Sequence, residues 1–407
     1  MRKPLSPLQA FAEDARIAAD RSSEVGDELV VWLSVAQSAE HLSALSGEAR
    51  TTAQERAVRL LAPFGDARPT QRHDMHPPPS DPFGKLVEQF RVAAEAMEKA
   101  GCFELAYATV SAICRLTARA DYVTSSLATL HLGRIARQLN DLGAAEDCYR
   151  AMLATSLRER DGPLAARGHI GLALISDMRG NLPAAETEFL KALSYAVPMG
   201  STYASACQGL MSLAITGGRL ADALLYGWKL YDASEHDIDV RASALSDLSV
   251  VAMRAGFLDA ARSGFDHAIT LTTVSRLRMI FRSGALRTAA RLGDLERARE
   301  YDRQMLVDIA RANVAHSAAM VLLHAAEAWV TLGDVDTAQR RLEESVALSE
   351  RFGFHEYRFR AEALASRLQR ELNVTHAEPI EQDAPLFGSR VDPDIDAGIG
   401  RLEALAI

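Results

Sequence analysis

Gly180-Asn-Leu-Pro-Ala-Ala-Glu-Thr-Glu-Phe-Leu-Lys-Ala192 is the stretch on which the fold turns. A glycine marks a turn, the small Ala185 follows five residues later, bulky Phe189 stands at the next i+4 position, and small Ala192 closes the phrase. Gly256 to Ala268 repeats it with Ala261, Phe265 and Ala268, and Asn140 to Met152 repeats it with Ala145, Tyr149 and Met152. The turn residue recurs at Gly101, Asn140, Gly180, Gly218, Gly256, Gly293 and Gly333, at spacings of 39, 40, 38, 38, 37 and 40. Asparagine is the best substitute for glycine where φ is positive, so Asn140 fits the series. An alanine stands five residues after every one of the seven: Ala106, Ala145, Ala185, Ala223, Ala261, Ala298 and Ala338.

Self-similarity at a fixed period of this size is the signature of a stacked-repeat architecture. Two helices meet at the turn, the alanine on the second lets their backbones approach, and the aromatic fills the neighbouring groove. Each hairpin leaves one apolar face open, which only the next hairpin can cover. Composition agrees: 48% of the 407 residues are hydrophobic but only 6% aromatic, with abundant Ala and Leu, which suits small-residue helix packing better than a β-sandwich. Length alone suggests two or three globular domains, but repeat arrays grow along one axis and escape that rule.

The pattern resembles the tetratricopeptide repeat family over about Lys85 to Asn373, in helix-A residues such as Leu132-Gly133, in the turn glycine, and in the Ala, aromatic, Ala triplet. It departs from the family in a helix-A Trp absent from most copies, in the missing closing Pro, and in a period near 39 where the family unit has 34. The resemblance implies an all-α, right-handed superhelical solenoid of about seven hairpins, preceded by a small N-terminal helical segment. It is of the long-period kind common in bacterial sensor and signalling proteins, and it implies interaction rather than catalysis. The expected organisation is an N-terminal helical segment at 1–62, a linker at 63–83, the solenoid at 84–373, and an acidic, largely disordered tail at 374–407. The variable segments Arg160 to Pro163, Val197 to Gly200 and Asp232 to Asp237 fall between repeats.

Charge narrows the function classes. The net charge is −9, of which the last 34 residues carry −5 through seven acids against Arg390 and Arg401, leaving a nearly neutral body. That balance lacks the basic stripe that displaces counterions from phosphates, so nucleic acid is not an expected partner. The N-terminus lacks an apolar signal core, and the most apolar stretch, Ala318 to Val330, is interrupted by His324 and Glu327, so neither export nor a membrane span is expected. Cys102, Cys114, Cys148 and Cys207 stand at wide spacings without CxxC, and read as small buried hydrophobes in a reducing cytoplasm.

Catalytic spacings are absent: there is no GxxxxGK, no GxGxxG behind a strand, no HExxH and no GxSxG. No cofactor and no metal are expected, His73 and His76 reading as solvated residues of the linker. Given the family's geometry, first-helix positions about ten, six, three and two before the turn line a concave groove. They place Arg91, Arg134, Arg137, Gln208, Ser212, Arg254, Arg287 and Arg291 there as partner-binding candidates. From His267 to Gly293 the chain has five arginines (Arg276, Arg278, Arg282, Arg287, Arg291) and no acid. Forked guanidinium groups suit carboxylates. The solvated basic face, with partners on the next repeat, is the weightier reading of these arginines.

The expected partner is therefore a protein or peptide, with an acidic segment as one ligand and the chain's own C-terminal tail as another. The functional expectation is a cytoplasmic adaptor, sensor or regulatory subunit. The alternative is a peptide- or small-molecule-sensing receptor that switches superhelix conformation. It rests on a likeness in outline to bacterial peptide-receptor phosphatases, whose peptide-holding asparagines are missing here.

Overall fold

The computed structural model describes residues 34–42, 44, 52–53, 57, 82–99, 102–118, 121–312, 314–352, 354–373 and 393–405. Gly101, the two linker histidines and most of the 63–83 and 374–392 stretches lie outside them. Every described element is an α-helix. Two compact units are formed, residues 1–197 and 198–407.

In the first unit α1 (Pro82–Lys99) pairs with α2 (Phe103–Thr117), α3 (Tyr122–Gln138) with α4 (Leu142–Arg158), and α5 (Gly162–Met178) with α6 (Leu182–Tyr195). Helix α1 thus begins at Pro82, just inside the stretch expected as linker. Helical residues 34–42 add Val35, Ala36, Ala39 and Leu42, all fully buried, to the core of α1 and α2. In the second unit the pairs are α7 (Ser201–Thr216) with α8 (Leu220–Ala233), α9 (Ile238–Ala255) with α10 (Leu258–Leu271), α11 (Ser275–Leu292) with α12 (Leu295–Ala312), and α13 (Ala315–Thr331) with α14 (Val335–Phe352). Helix α15 (His355–Asn373) closes the stack by burying Tyr357, Ala361, Leu364 and Leu368 against Leu323, Ala326 and Leu342. The seven expected hairpins are all present.

The hairpin turn follows from its residues. At Asn140, Gly180, Gly218, Gly256, Gly293 and Gly333 φ lies between 60° and 90°, the left-handed region that ends helices. The chain then folds back in one step: Gly180 N donates to Asp177 O at 2.8 Å and Asn181 N to Ser176 O at 2.9 Å. The residue after the turn starts the next helix, since Asp141, Asn181, Asp294 and Asp334 accept from the main-chain N–H three positions on. The alanines five residues past the turn are all completely buried.

Aromatic packing joins one hairpin to the next. The ring of Tyr149 on α4, 2% exposed, is clamped between Gly133 of α3 and Gly171 of α5. A Cβ at Gly171 would stand 2.5 Å from that ring, so the slot exists only because the side chain is a hydrogen. Phe265 on α10 meets Gly284 of α11 in the same way. Glycine there therefore serves close approach, whereas at Gly180 a Cβ would meet nothing within 4 Å and only the φ of +73° selects the residue.

The two kinds of glycine predict different mutational behaviour. Gly171→Ala, which overpacks the Tyr149 slot, should cost about 1–3 kcal/mol in urea unfolding. Gly180→Asn should cost only a few tenths of a kcal/mol, because Asn140 already holds φ 60° in the equivalent turn. Equal losses for the two variants would contradict the assignment.

Candidate functional site

The first helices α1, α3 and α5 carry the candidate face of the first unit. Arg91 lies on α1 between Glu88, bonded at 2.8 Å, and Glu95, so its charge is met within its own helix. Arg134 on α3 donates to Glu98 of α1 at 2.8 Å, and Glu98 also takes the Nε2 of His131. Burial works against the Glu98 carboxylate, but the His131 hydrogen bond and the Arg134 charge hold it below the usual carboxylate range. Burial, helped by Arg134, pushes His131 down and keeps it neutral. Arg137 stands beside the Tyr149 hydroxyl, and its buried Nε has no partner among the described residues.

Arg167 on α5 was not among the sequence candidates, yet it is the least satisfied cation among the described residues of this unit. It is 6% exposed, and none of its three guanidinium nitrogens has a hydrogen-bond partner among the described residues. Burial lowers its pKa, opposed only by the charge of Asp161 at the N-terminus of the same helix. It lies three residues before Ile170, itself ten before the turn, so counting one helical turn further back would have found it.

In the second unit the structure separates the remaining candidates by role. Gln208 and Ser212 on α7 are exposed, as an inward-facing polar pair should be. Arg254 on α9 and Arg291 on α11 occupy the same repeat position and do the same work. Arg254 donates to the carbonyl of Ile215 at 3.0 Å and Arg291 to that of Met253 at 2.7 Å, each three residues before the preceding turn. Those carbonyls belong to the last turn of the preceding first helix, which lacks intrahelical donors and favours positive charge. Arg287 on α11 approaches Glu327 of α13 at 4.0 Å, and Glu327 also accepts from Arg360 of α15 at 3.4 Å. Three successive first helices are thereby linked by alternating charge.

The arginine-rich run is largely consumed by structure. Arg278 donates to Asp308 of α12 at 2.9 Å, and Arg282 bonds the same carboxylate, which is 1% exposed. These two turn toward their own second helix because a buried carboxylate needs compensation that solvent cannot supply.

Two titratable groups sit nine residues before the turn, where Gly171 and Gly284 make their slots. His324 on α13 is pushed down to about 3 by burial, with Arg287 and Arg360 adding to the effect. Asp247 on α9 is pushed up to about 6 by burial and has no hydrogen-bond or ion-pair partner among the described residues. The hairpin before Asp247 has Gly227 where other second helices carry Tyr149, Phe189 or Phe265. A Cβ at Gly227 would meet Leu248 and Met211, which fill the space beside it.

Other chemistry is sparse among the described residues. No group of three or more His, Cys, Asp or Glu is placed to hold a metal ion, and no helix is long and apolar enough to cross a membrane. The four cysteines are free; burial raises the Cys114 thiol to about 12 and that of Cys207 to about 11, far from reactive values.

The tail departs from expectation. Instead of entering the first-helix face, residues Pro393–Ala404 form a helix, α16, that packs on the second helices α8 and α10. The physical reason is its apolar stripe: Ile395, Ile399 and Leu402 are buried, which a face of Arg, Gln and Ser could not achieve.

No family model matches the chain, and no curated protein matches it in sequence. Among solved structures it is similar to a signal transduction ATPase with numerous domains bearing a tetratricopeptide repeat sensor, from Pyrococcus horikoshii. The TM-score is 0.53 at 12% identity, with 90% of this chain covered. The chain spans 55% of that protein's length. It is also similar to aspartyl phosphate phosphatase F from Bacillus subtilis, with a TM-score of 0.52 at 10% identity, covering 86% of this chain and 97% of that one. At such identities the likeness is one of fold, and the fold is of the tetratricopeptide-repeat type.

His324 and Asp247 should pull the pH dependence of stability in opposite directions. His324 is neutral when folded, so its contribution is intact above pH 6.5 and is lost as pH falls from there toward 3. Asp247 has a raised folded pKa, so its ionised form costs stability above pH 6, a cost relieved between pH 6 and 4. In urea unfolding at pH 7.5, Asp247→Asn should stabilise by on the order of 1 kcal/mol. His324→Gln should flatten the loss seen between pH 6.5 and 5. Unchanged profiles for both variants would refute the placement of these groups.

Proposed function

We propose that the chain is a non-enzymatic protein–protein interaction module, an adaptor, sensor or regulatory subunit of cytoplasmic bacterial signalling, which binds a partner polypeptide along its first-helix face. The observation that carries this reading is the uncommitted polarity of adjacent first helices. Gln208 and Ser212 of α7 are exposed, and Asp247 of α9 is a half-buried carboxyl without a partner among the described residues. The Arg254–Ile215 bond holds these two helices side by side. Asp247 is half-buried, and a partly desolvated carboxyl without a partner costs stability when ionised, a cost relieved when a ligand supplies hydrogen bonds.

The polypeptide backbone is the natural match, since it offers N–H donors to Asp247 and both donors and acceptors to Gln208 and Ser212. Arg254 and Arg291 remain exposed while each donates one N–H to a carbonyl, so an acidic stretch of the partner meets their outer edges. Arg91, Arg134 and Arg287 contribute less, because Glu88, Glu95, Glu98 and Glu327 already stand against them.

A sensing receptor is the second reading. It is supported by the likeness in fold to repeats that serve as a sensor in the Pyrococcus protein, and by the cost of leaving Asp247 ionised without ligand. A receptor gains melting temperature with a short peptide or metabolite; an adaptor recovers a defined protein.

The test compares wild type with Gln208→Arg/Ser212→Arg, both at exposed positions, as baits in lysate from the source cell. The double variant should lose at least ten-fold of the partner, about 1.4 kcal/mol, while melting as wild type does. Equal recovery of the same partner by both baits would overturn the assignment of this face.

A further inference from the structure

The seat of α16 lies on second helices, away from the face assigned above, and its construction is specific. The Trp228 indole N–H of α8 donates to the Gly398 carbonyl at 3.0 Å. The Arg401 guanidinium lies 4.2 Å from the centre of the same indole and bonds both carboxylate oxygens of Asp232, one at 3.1 Å. Ile395, Ile399 and Leu402 fill the space between α8 and α10. Glycine lets α16 settle close to α8: a Cβ at Gly398 would stand 3.0 Å from the Leu224 side chain.

Gly264 is committed within its own hairpin, where a Cβ would stand 2.2 Å from Ser249 Oγ of α9, and Leu402 of α16 packs over the same position.

Helix α16 has 12 residues and three buried apolar anchors. A helix that short is marginal in water, so its order depends on the seat. Nineteen residues separate it from Asn373, which makes its docking an intramolecular encounter whose effective concentration a free partner can match. Nothing in the seat distinguishes the tail from another helix of the same pattern: apolar residues at i, i+4 and i+7, glycine at i+3, and arginine at i+6.

We propose that the α8/α10 face is a second docking site, for an amphipathic partner helix of that pattern, and that α16 is its resident occupant and is displaced when the partner binds. This site goes beyond the first-helix reading and stands or falls without it.

The test uses the full chain and a fluorescein-labelled synthetic peptide of residues 391–405. In Ile399→Asp/Leu402→Asp both changes lie in the tail, so the seat is vacated while the repeats keep their own cores. The peptide should bind that variant at least ten-fold more tightly than wild type, whose seat is filled, and adding Asp232→Arg, which removes the partner of Arg401, should reverse that gain. Absence of binding to an unseated chain with wild-type melting, or equal binding to both chains, would overturn the proposal. Hydrogen exchange on unmodified wild type provides a second readout. Amides of α16 should exchange at least a hundred-fold faster than those in the middle of α8, through local opening. Equal protection of the two helices would show a permanent structural element instead. Exchange of tails between two copies would appear as concentration-dependent dimers of wild type that the unseated variant does not form, and would reject a separate partner as the occupant.

Discussion

A single residue in left-handed conformation, followed five positions later by an alanine with no exposed surface, is the constraint from which the rest of the structure follows. The turn reverses the chain in one step, and the alanine lets the two helices close on each other. That leaves a flat apolar face which only another hairpin can cover. Because the constraint is local, it recurs wherever those residue types recur. Variation in what lies between, such as Arg160 to Pro163, is absorbed in the joints.

This locality explains how much of the protein was legible in its sequence. The turn residues and alanines fall at the expected places because both depend on backbone geometry that one residue decides. The aromatic was legible too, but its counterpart was not. Gly171 and Gly284 look like any helical glycine until the ring of the preceding hairpin is seen against them.

The candidate site was less legible, and for a physical reason. Counting positions places a side chain on a face but does not say whether its charge is already met. Arg91, Arg134 and Arg287 are on the expected helices yet face carboxylates, while Arg254 and Arg291 each hold a carbonyl of the preceding repeat. Arg167 and Asp247 were passed over because what marks them is the absence of a partner, a property of packing and not of spacing. The seat of α16 was likewise out of reach: an apolar stripe beside acids suggested electrostatic attraction to basic residues, whereas burial of three apolar side chains decided where it went.

Bonds between neighbouring repeats, such as Arg254 to Ile215 and Arg341 to Asp302, span 39 residues, but Trp228 to Gly398 spans 170. Within each unit the hairpins can therefore close in order as the chain leaves the ribosome, each on the one before. The ground beneath α16 is ready long before its occupant has been synthesised. For that interval every nascent copy displays Trp228 and Asp232 without α16 over them, so whatever recognises this surface meets newborn chains first.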